Sequence, residues 1–139
     1  MTDIADSSRP HRRTRRDHST ETAEDYVEAI ADIVGSSGRC RVVDLARRFG
    51  VSHVTVTRIV ARLQDAGLTQ TEAYRPIELT TKGKRLAKRS RERHETVYRF
   101  LIAIGVDEKN AAIDAEGIEH HVSPATLDRL EAFVEERCG

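Results

Sequence analysis

Apolar residues recur along this chain mostly at helical steps. The first row, Tyr26, Val27, Ile30, Ile33 and Val34, is spaced by threes and fours and predicts a helix opening at Ser19 or Thr20, whose hydroxyls can cap it. Gly35-Ser36-Ser37-Gly38 supplies its stop. A second, shorter amphipathic run from Val42 to Phe49 meets Gly50, which tolerates the positive φ of a tight turn. Ser52 then offers an N-cap for a helix to about Ala66. Val43, Leu45, Ala46, Val51, Val56, Ile59, Val60 and Leu63 are placed to interlock across the turn, the pattern of a helix-turn-helix.

Past Gly67 the period changes. Two short β-prone runs, Leu68 to Thr71 and Ile77 to Leu79, flank Glu72-Ala73-Tyr74-Arg75-Pro76, which predicts a hairpin, and a hairpin after a recognition helix is a wing. Thr80 or Thr81 can cap a long helix with Leu86, Val97, Phe100, Leu101 and Ile104 on its apolar side, ended by Gly105. Asp107 can cap a helix to about His121, and Ser123-Pro124 reads as the N-cap and first-turn proline of a last helix carrying Leu127, Leu130, Phe133 and Val134. The expected fold is mainly α: a disordered basic tail over 1–18, a winged helix-turn-helix DNA-binding domain over 19–80, and a helical domain over 81–139.

Composition narrows the class. Of 139 residues 38% are hydrophobic and 33% charged, which suits a soluble helical protein, and no apolar run is long enough to span a membrane or serve as a secretory signal. Cys40 and Cys138 form no Cys-x-x-Cys pair, as reduced thiols in a cytoplasm would. A cytoplasmic protein with no membrane partner and no small-molecule substrate is expected. The net charge of zero hides a segregation: +2 over 1–18, −5 over 19–38, +9 over 39–103 and −6 over 104–139. A basic middle between acidic ends suits a polyanion in the middle and cations at the ends.

The exposed side of the second helix of the motif carries Ser52, His53, Thr55, Thr57, Arg58 and Arg62, short hydroxyls and guanidinium groups that can meet base edges or phosphates in a major groove. Arg75 in the wing, and Lys82, Lys84 and Arg85, are suited to phosphate. A second constellation is acidic. Asp25 and Glu28 share one face of the first helix, and Glu116, Glu119 and His120 share another helix face, with His94 able to complete the set. Four carboxylates would repel unless cations lay between them, and two divalent ions would balance their charge. Oxygen and imidazole donors without thiolate suit Mn²⁺ or Fe²⁺. Spacing alone equally allows surface carboxylates paired with the basic helix.

Glu24-Asp25-Tyr26-Val27-Glu28, the helix-turn-helix, Leu79-Thr80-Thr81-Lys82-Gly83-Lys84, Arg93-His94-Glu95 and above all Asp114-Ala115-Glu116-Gly117-Ile118-Glu119-His120-His121 carry a family resemblance. Over roughly residues 20–136 the chain resembles the manganese-responsive branch of the diphtheria-toxin-repressor family. The resemblance implies a homodimeric winged-helix repressor that binds palindromic operator DNA when loaded with Mn²⁺ and represses manganese uptake. It places ligands for two Mn²⁺ per protomer on Asp25, Glu28, His94, Glu116, Glu119 and His120, with Fe²⁺ as a possible alternative. It also makes the region beyond residue 80 a metal-binding and dimerisation domain, without the additional SH3-like domain of longer members. The iron-responsive branch typically has Met at the position of Asp25 and Cys at that of Glu116, so the two oxygen ligands here favour manganese. Pro76 departs from the glycine common in family wings.

Two other classes fit parts of the pattern. A carboxylate-bridged di-metal enzyme would use the same Glu and His residues, but no second Glu-x-x-His pair is present and the helix-turn-helix would be unexplained. A metal-independent winged-helix regulator would use the acidic ends as an interface. The expected function is therefore regulatory, not enzymatic.

Overall fold

The computed structural model describes the backbone of residues 9–138 and the side chains of residues 20–137. Its elements are α1 (Arg9–Ser37), α2 (Val42–Phe49), α3 (His53–Asp65), β1 (Thr69–Gln70), β2 (Glu78–Leu79), α4 (Thr81–Ala103), α5 (Glu108–Ile118), a 3₁₀ turn (Glu119–His121) and α6 (Pro124–Cys138). Two compact units divide them, one of residues 23–91 and one built from 92 onward with the start of α1.

Helix α1 begins at Arg9, ten residues before the start expected at Ser19, and takes in residues 9–18 of the stretch read as a disordered tail. Between Pro10 and the packed turn at Tyr26 and Val27 there is no Gly or Pro, so nothing in that span interrupts a helix once formed. Residues 1–8 of that tail, and the side chains of its arginines, lie outside the described residues. At its other end α1 stops where expected, with Gly38 at φ 85° returning its N–H to the Val34 carbonyl at 2.9 Å.

The interior of residues 23–91 is the hydrocarbon of Tyr26, Val27, Ile30, Leu45, Val56, Val60, Leu63 and Ile77, with the Tyr26 and Phe49 rings stacked at 4.3 Å. The turn of the helix-turn-helix is set by Gly50 at φ 64° and by Ser52, whose Oγ accepts from the Thr55 N–H at 3.1 Å. Val43 and Val51, expected in the interlock, are exposed, as is Val34 at the outer end of α1. Helix α2 spans only eight residues, so Leu45 and Ala46 fill its buried face and its flanking valines fall at the rim.

The hairpin is antiparallel, Thr69 opposite Leu79 and Gln70 opposite Glu78, and Ile77 extends it by a bridge to Cys40. Its base is locked to α4. Thr80 Oγ1 donates to the Gly67 carbonyl at 2.6 Å and accepts from the Gly83 N–H, so it caps α4 and ties the end of α3 at once. Gly83 is required there, because a Cβ would lie 2.1 Å from the Leu68 carbonyl oxygen.

In the second unit Val97, Leu101, Ala111 and Ala115 form a small core flanked by Val106, Val122, Leu127 and Leu130. Asp107 caps α5 by accepting from the Asn110 N–H, and Ser123 caps α6 by accepting from the Thr126 N–H, as the sequence predicts. Ile104, expected on the apolar side, is exposed, since α4 has already ended at Ala103 and the chain turns at Gly105.

Candidate DNA-reading face and metal centre

In residues 23–91 the outward side of α3 presents Ser52, His53, Thr57, Arg58 and Arg62, all exposed. Thr55 is half-buried, and its hydroxyl lies 3.0 Å from Ser52 Oγ, so this pair completes the helix cap and leaves the outer row to reach a base. Val54 stands among them 68% exposed, an apolar group able to meet a thymine methyl. Sequence reading passed over it, although its place off the buried row of Val56, Ile59, Val60 and Leu63 is a usable signal.

Between α3 and the wing lies a cleft of about 530 Å³ whose walls include Arg41, His53, Thr57, Gln64, Tyr74 and Arg75. Tyr74 at the wing tip is fully exposed and holds φ 64°, a left-handed conformation that non-glycine residues adopt at a cost. Arg75 is exposed beside Glu72 at 3.4 Å. Of the bases expected on phosphate, Lys82 donates its Nζ to the Ala66 carbonyl at 2.9 Å, closing the end of α3, while Lys84 and Arg85 face outward. On α1, Asp32 accepts from both Arg48 at 3.2 Å and Arg91 at 2.6 Å. Asp25 and Glu28, also on α1, are half-buried, and Glu28 accepts a hydrogen bond from Ser90.

The second unit brings together His94, Glu116, Glu119 and His120. Continuous α-helix would align the last three on one face, but α5 stops at Ile118 and the next residues tighten into a 3₁₀ turn before the extended Val122. This tightening follows from Pro124 two residues on, which disfavours helix at Ser123. Glu119, still at helical φ and ψ with its N–H on the Ala115 carbonyl, is 1% exposed, while Glu116 one turn earlier stays at the surface. His94 Nδ1 sits 3.7 Å from both Glu116 Oε1 and Glu119 Oε2, and His120 Nε2 sits 3.4 Å from Glu119 Oε1. Donor atoms of His94, Glu116 and Glu119 all lie within 4.8 Å of one another.

These 3.7 Å separations exceed hydrogen-bond length. They match two donors on one cation, which at about 2.1 Å each stand no more than about 4.2 Å apart. His94 Nδ1 is itself buried and makes no hydrogen bond. A buried nitrogen aimed at two carboxylates fits a divalent metal bound through nitrogen and oxygen. His121, half-exposed, turns instead to Glu21 at 3.4 Å.

Comparison with known proteins divides the chain in two. Residues 18–77 match the family described as "Iron dependent repressor, N-terminal DNA binding domain", and residues 80–137 match "Iron dependent repressor, metal binding and dimerisation domain". The transcriptional regulator MntR of Escherichia coli O6:H1 is 44% identical over 124 residues, covering 89% of this chain and 80% of that protein. The HTH-type transcriptional regulator MntR of Bacillus subtilis (strain 168) is 40% identical over 117 residues, covering 84% and 82%. Among solved structures, a manganese-dependent transcriptional repressor in complex with manganese superposes with a TM-score of 0.73 at 29% identity, over 81% of this chain and 52% of that one. The chain thus spans about half the length of that structure.

Proposed function

Because this chain belongs to the iron-dependent repressor family and is a transcriptional regulator rather than an enzyme, we propose that it is a manganese-dependent repressor of manganese uptake. It binds palindromic operator DNA as a homodimer in the cytoplasm. The observation that carries this reading is the buried Glu119 carboxylate set between the imidazoles of His94 and His120, with Glu116 beside it. Burying a carboxylate is costly unless positive charge accompanies it. The ligand set we assign is Asp25, Glu28, His94, Glu116, Glu119 and His120, for two Mn²⁺ per protomer, with Fe²⁺ a weaker fit to the same donors. Its harder oxygen donors and lack of thiolate favour Mn²⁺.

When bound, the metal supplies the charge that offsets four carboxylates and fixes the separation of their donors. Asp25 and Glu28 lie on α1, the helix that packs beneath the helix-turn-helix, so ligation there is coupled to the DNA-binding elements. Couplings of this kind are typically about 1–3 kcal/mol. Ser52, His53, Val54, Thr57, Arg58 and Arg62 then meet the major groove, with Thr55 supporting the cap, and the wing with Arg75 meets the phosphates beside it.

The test is operator binding by the full chain in chelator-controlled buffer with and without MnCl₂, alongside a metal titration. Tight binding only with Mn²⁺ and saturation at two ions per protomer is expected. Equal binding in excess chelator would overturn the reading.

A further inference from the structure

Ser90 is fully buried on α4, in a stretch where Ala87, one turn earlier, also packs into the apolar core. An alanine would suit such a place. A buried hydroxyl needs a partner, and Ser90 finds it far away in sequence: Oγ donates to Glu28 Oε2 at 3.0 Å. An ionised carboxylate only accepts, so the single hydroxyl proton lies on Glu28. One turn further along α4, four residues on, stands His94, so the hydroxyl lies on the same helix row as an assigned ligand. Glu28 in turn lies three residues from Asp25 on α1.

Resting on the ligand set assigned above, we propose that Ser90 is a positioning residue for Glu28, holding the carboxylate plane and rotamer so that metal binding need not order them. A glutamate side chain is long and rotamer-rich, and each bond that orders it before the metal arrives lowers the ordering cost of ligation. Groups that orient metal ligands through hydrogen bonds typically change metal affinity by roughly 10–100-fold when removed. The effect runs through Glu28 alone, which distinguishes it from a packing role.

The experiment measures Mn²⁺ affinity by chelator competition, with the thermal midpoint of the metal-free protein, for wild type, Ser90→Ala, Ser90→Cys, Glu28→Ala and the Ser90→Ala/Glu28→Ala double variant. Ser90→Ala should weaken Mn²⁺ binding by roughly tenfold with little change in the metal-free midpoint. Ser90→Cys, which keeps the volume and a weak donor, should fall between the two, and Ser90→Ala should add nothing in the Glu28→Ala background. Wild-type affinity in Ser90→Ala beside a large loss in Glu28→Ala overturns this inference and leaves the metal reading standing. A Ser90→Ala loss that persists in full without Glu28 overturns it as well. Wild-type affinity in Glu28→Ala overturns the placement of Glu28 in the metal centre, and this inference with it.

Discussion

Around α2 and α3 the interior is hydrocarbon, with Ile30, Leu45, Val56 and Ile77 almost wholly buried and the charges of the DNA-reading face kept at the surface. Around α5 and the 3₁₀ turn the apolar core is smaller, two of its members are alanines, and one of the largest fully buried side chains is the acid Glu119. Ile104 and Ile113 stand more than half exposed in that same unit. The first interior is mostly hydrocarbon, at roughly 25 cal/mol per Å² of apolar area removed from water, with Glu24, Thr69 and Ser90 as buried polar groups within it. The second sets an almost wholly buried carboxylate beside two imidazoles in a much smaller apolar core, the arrangement of a region whose stability would depend on what binds it. The difference separates a rigid reading head from a sensor, and each substitution below acts on one side of it.

The largest effect should come from Glu119→Ala. In wild type, Mn²⁺ at 100 times its dissociation constant should stabilise the protein by about 2.7 kcal/mol for each ion bound. The variant should lose that gain together with Mn²⁺-dependent operator binding. Thermal melts with and without MnCl₂ check this. A variant still stabilised by Mn²⁺ to the wild-type extent would break the contrast.

Gly83→Ala attacks the other side. The added methyl meets the Leu68 carbonyl oxygen at 2.1 Å, a backbone atom that cannot swing away. Overpacking of this kind costs about 1–3 kcal/mol. Denaturant unfolding should show that loss, with the Mn²⁺ stoichiometry unchanged. Undiminished stability would mean that the base of the wing and α4 are less tightly joined than the Thr80 and Gly83 contacts indicate.

Cys40 tests the hydrocarbon interior by pH. Burial, with a smaller contribution from Asp44, pushes its thiol up from 9.0 to about 11. A folded-state value above the unfolded one means that the stabilisation is whole below pH 9 and is lost as pH rises through 11. At pH 10 the loss should be about 1.4 kcal/mol. The fall in stability between pH 8.5 and pH 10 should therefore be shallower in Cys40→Ala, even if that variant starts lower. Parallel pH profiles would place the thiol in contact with solvent.

Most of the architecture was legible because helical periodicity and caps act locally. Gly50, Ser52, Asp107 and Ser123 each announce a boundary that the structure reproduces. What escaped depends on neighbours distant in sequence or on competition at element ends. Val34, Val43, Val51 and Ile104 keep the period yet lie beyond the reach of a core partner, so they are exposed. The helical spacing of Glu116 and Glu119 holds, since Glu119 keeps helical φ and ψ and donates its N–H to the Ala115 carbonyl, and the chain tightens only over the 3₁₀ turn at Glu119–His121 before Pro124. The buried Glu24 and the bond from Ser90 to Glu28 had no sequence signal, since a buried hydroxyl and a surface one are the same letter. The convergence of His94 with Glu116 and Glu119 was expected from the family resemblance, while spacing alone gave only separate helix faces.

The smallest stability effect should come from Asp32→Ala, and it sharpens the charge side of the contrast. Asp32 holds Arg48 of α2 and Arg91 of α4, and all three side chains are more than a third exposed. Ion pairs in such surroundings contribute about 0.2–1 kcal/mol each and weaken with salt. Removing Asp32 also leaves two guanidinium groups without that carboxylate on the basic unit. Nonspecific duplex DNA should then bind more tightly, and the slope of log affinity against log salt should steepen by up to about 0.9 for each arginine that gains a phosphate. Stability and DNA affinity thus move in opposite directions, a combination that simple unfolding cannot produce. Mn²⁺ affinity should stay at the wild-type value, because Asp32 lies outside the assigned ligands. An unchanged salt slope would show that Arg48 and Arg91 do not reach the DNA and that their pairing with Asp32 serves only to join α1, α2 and α4.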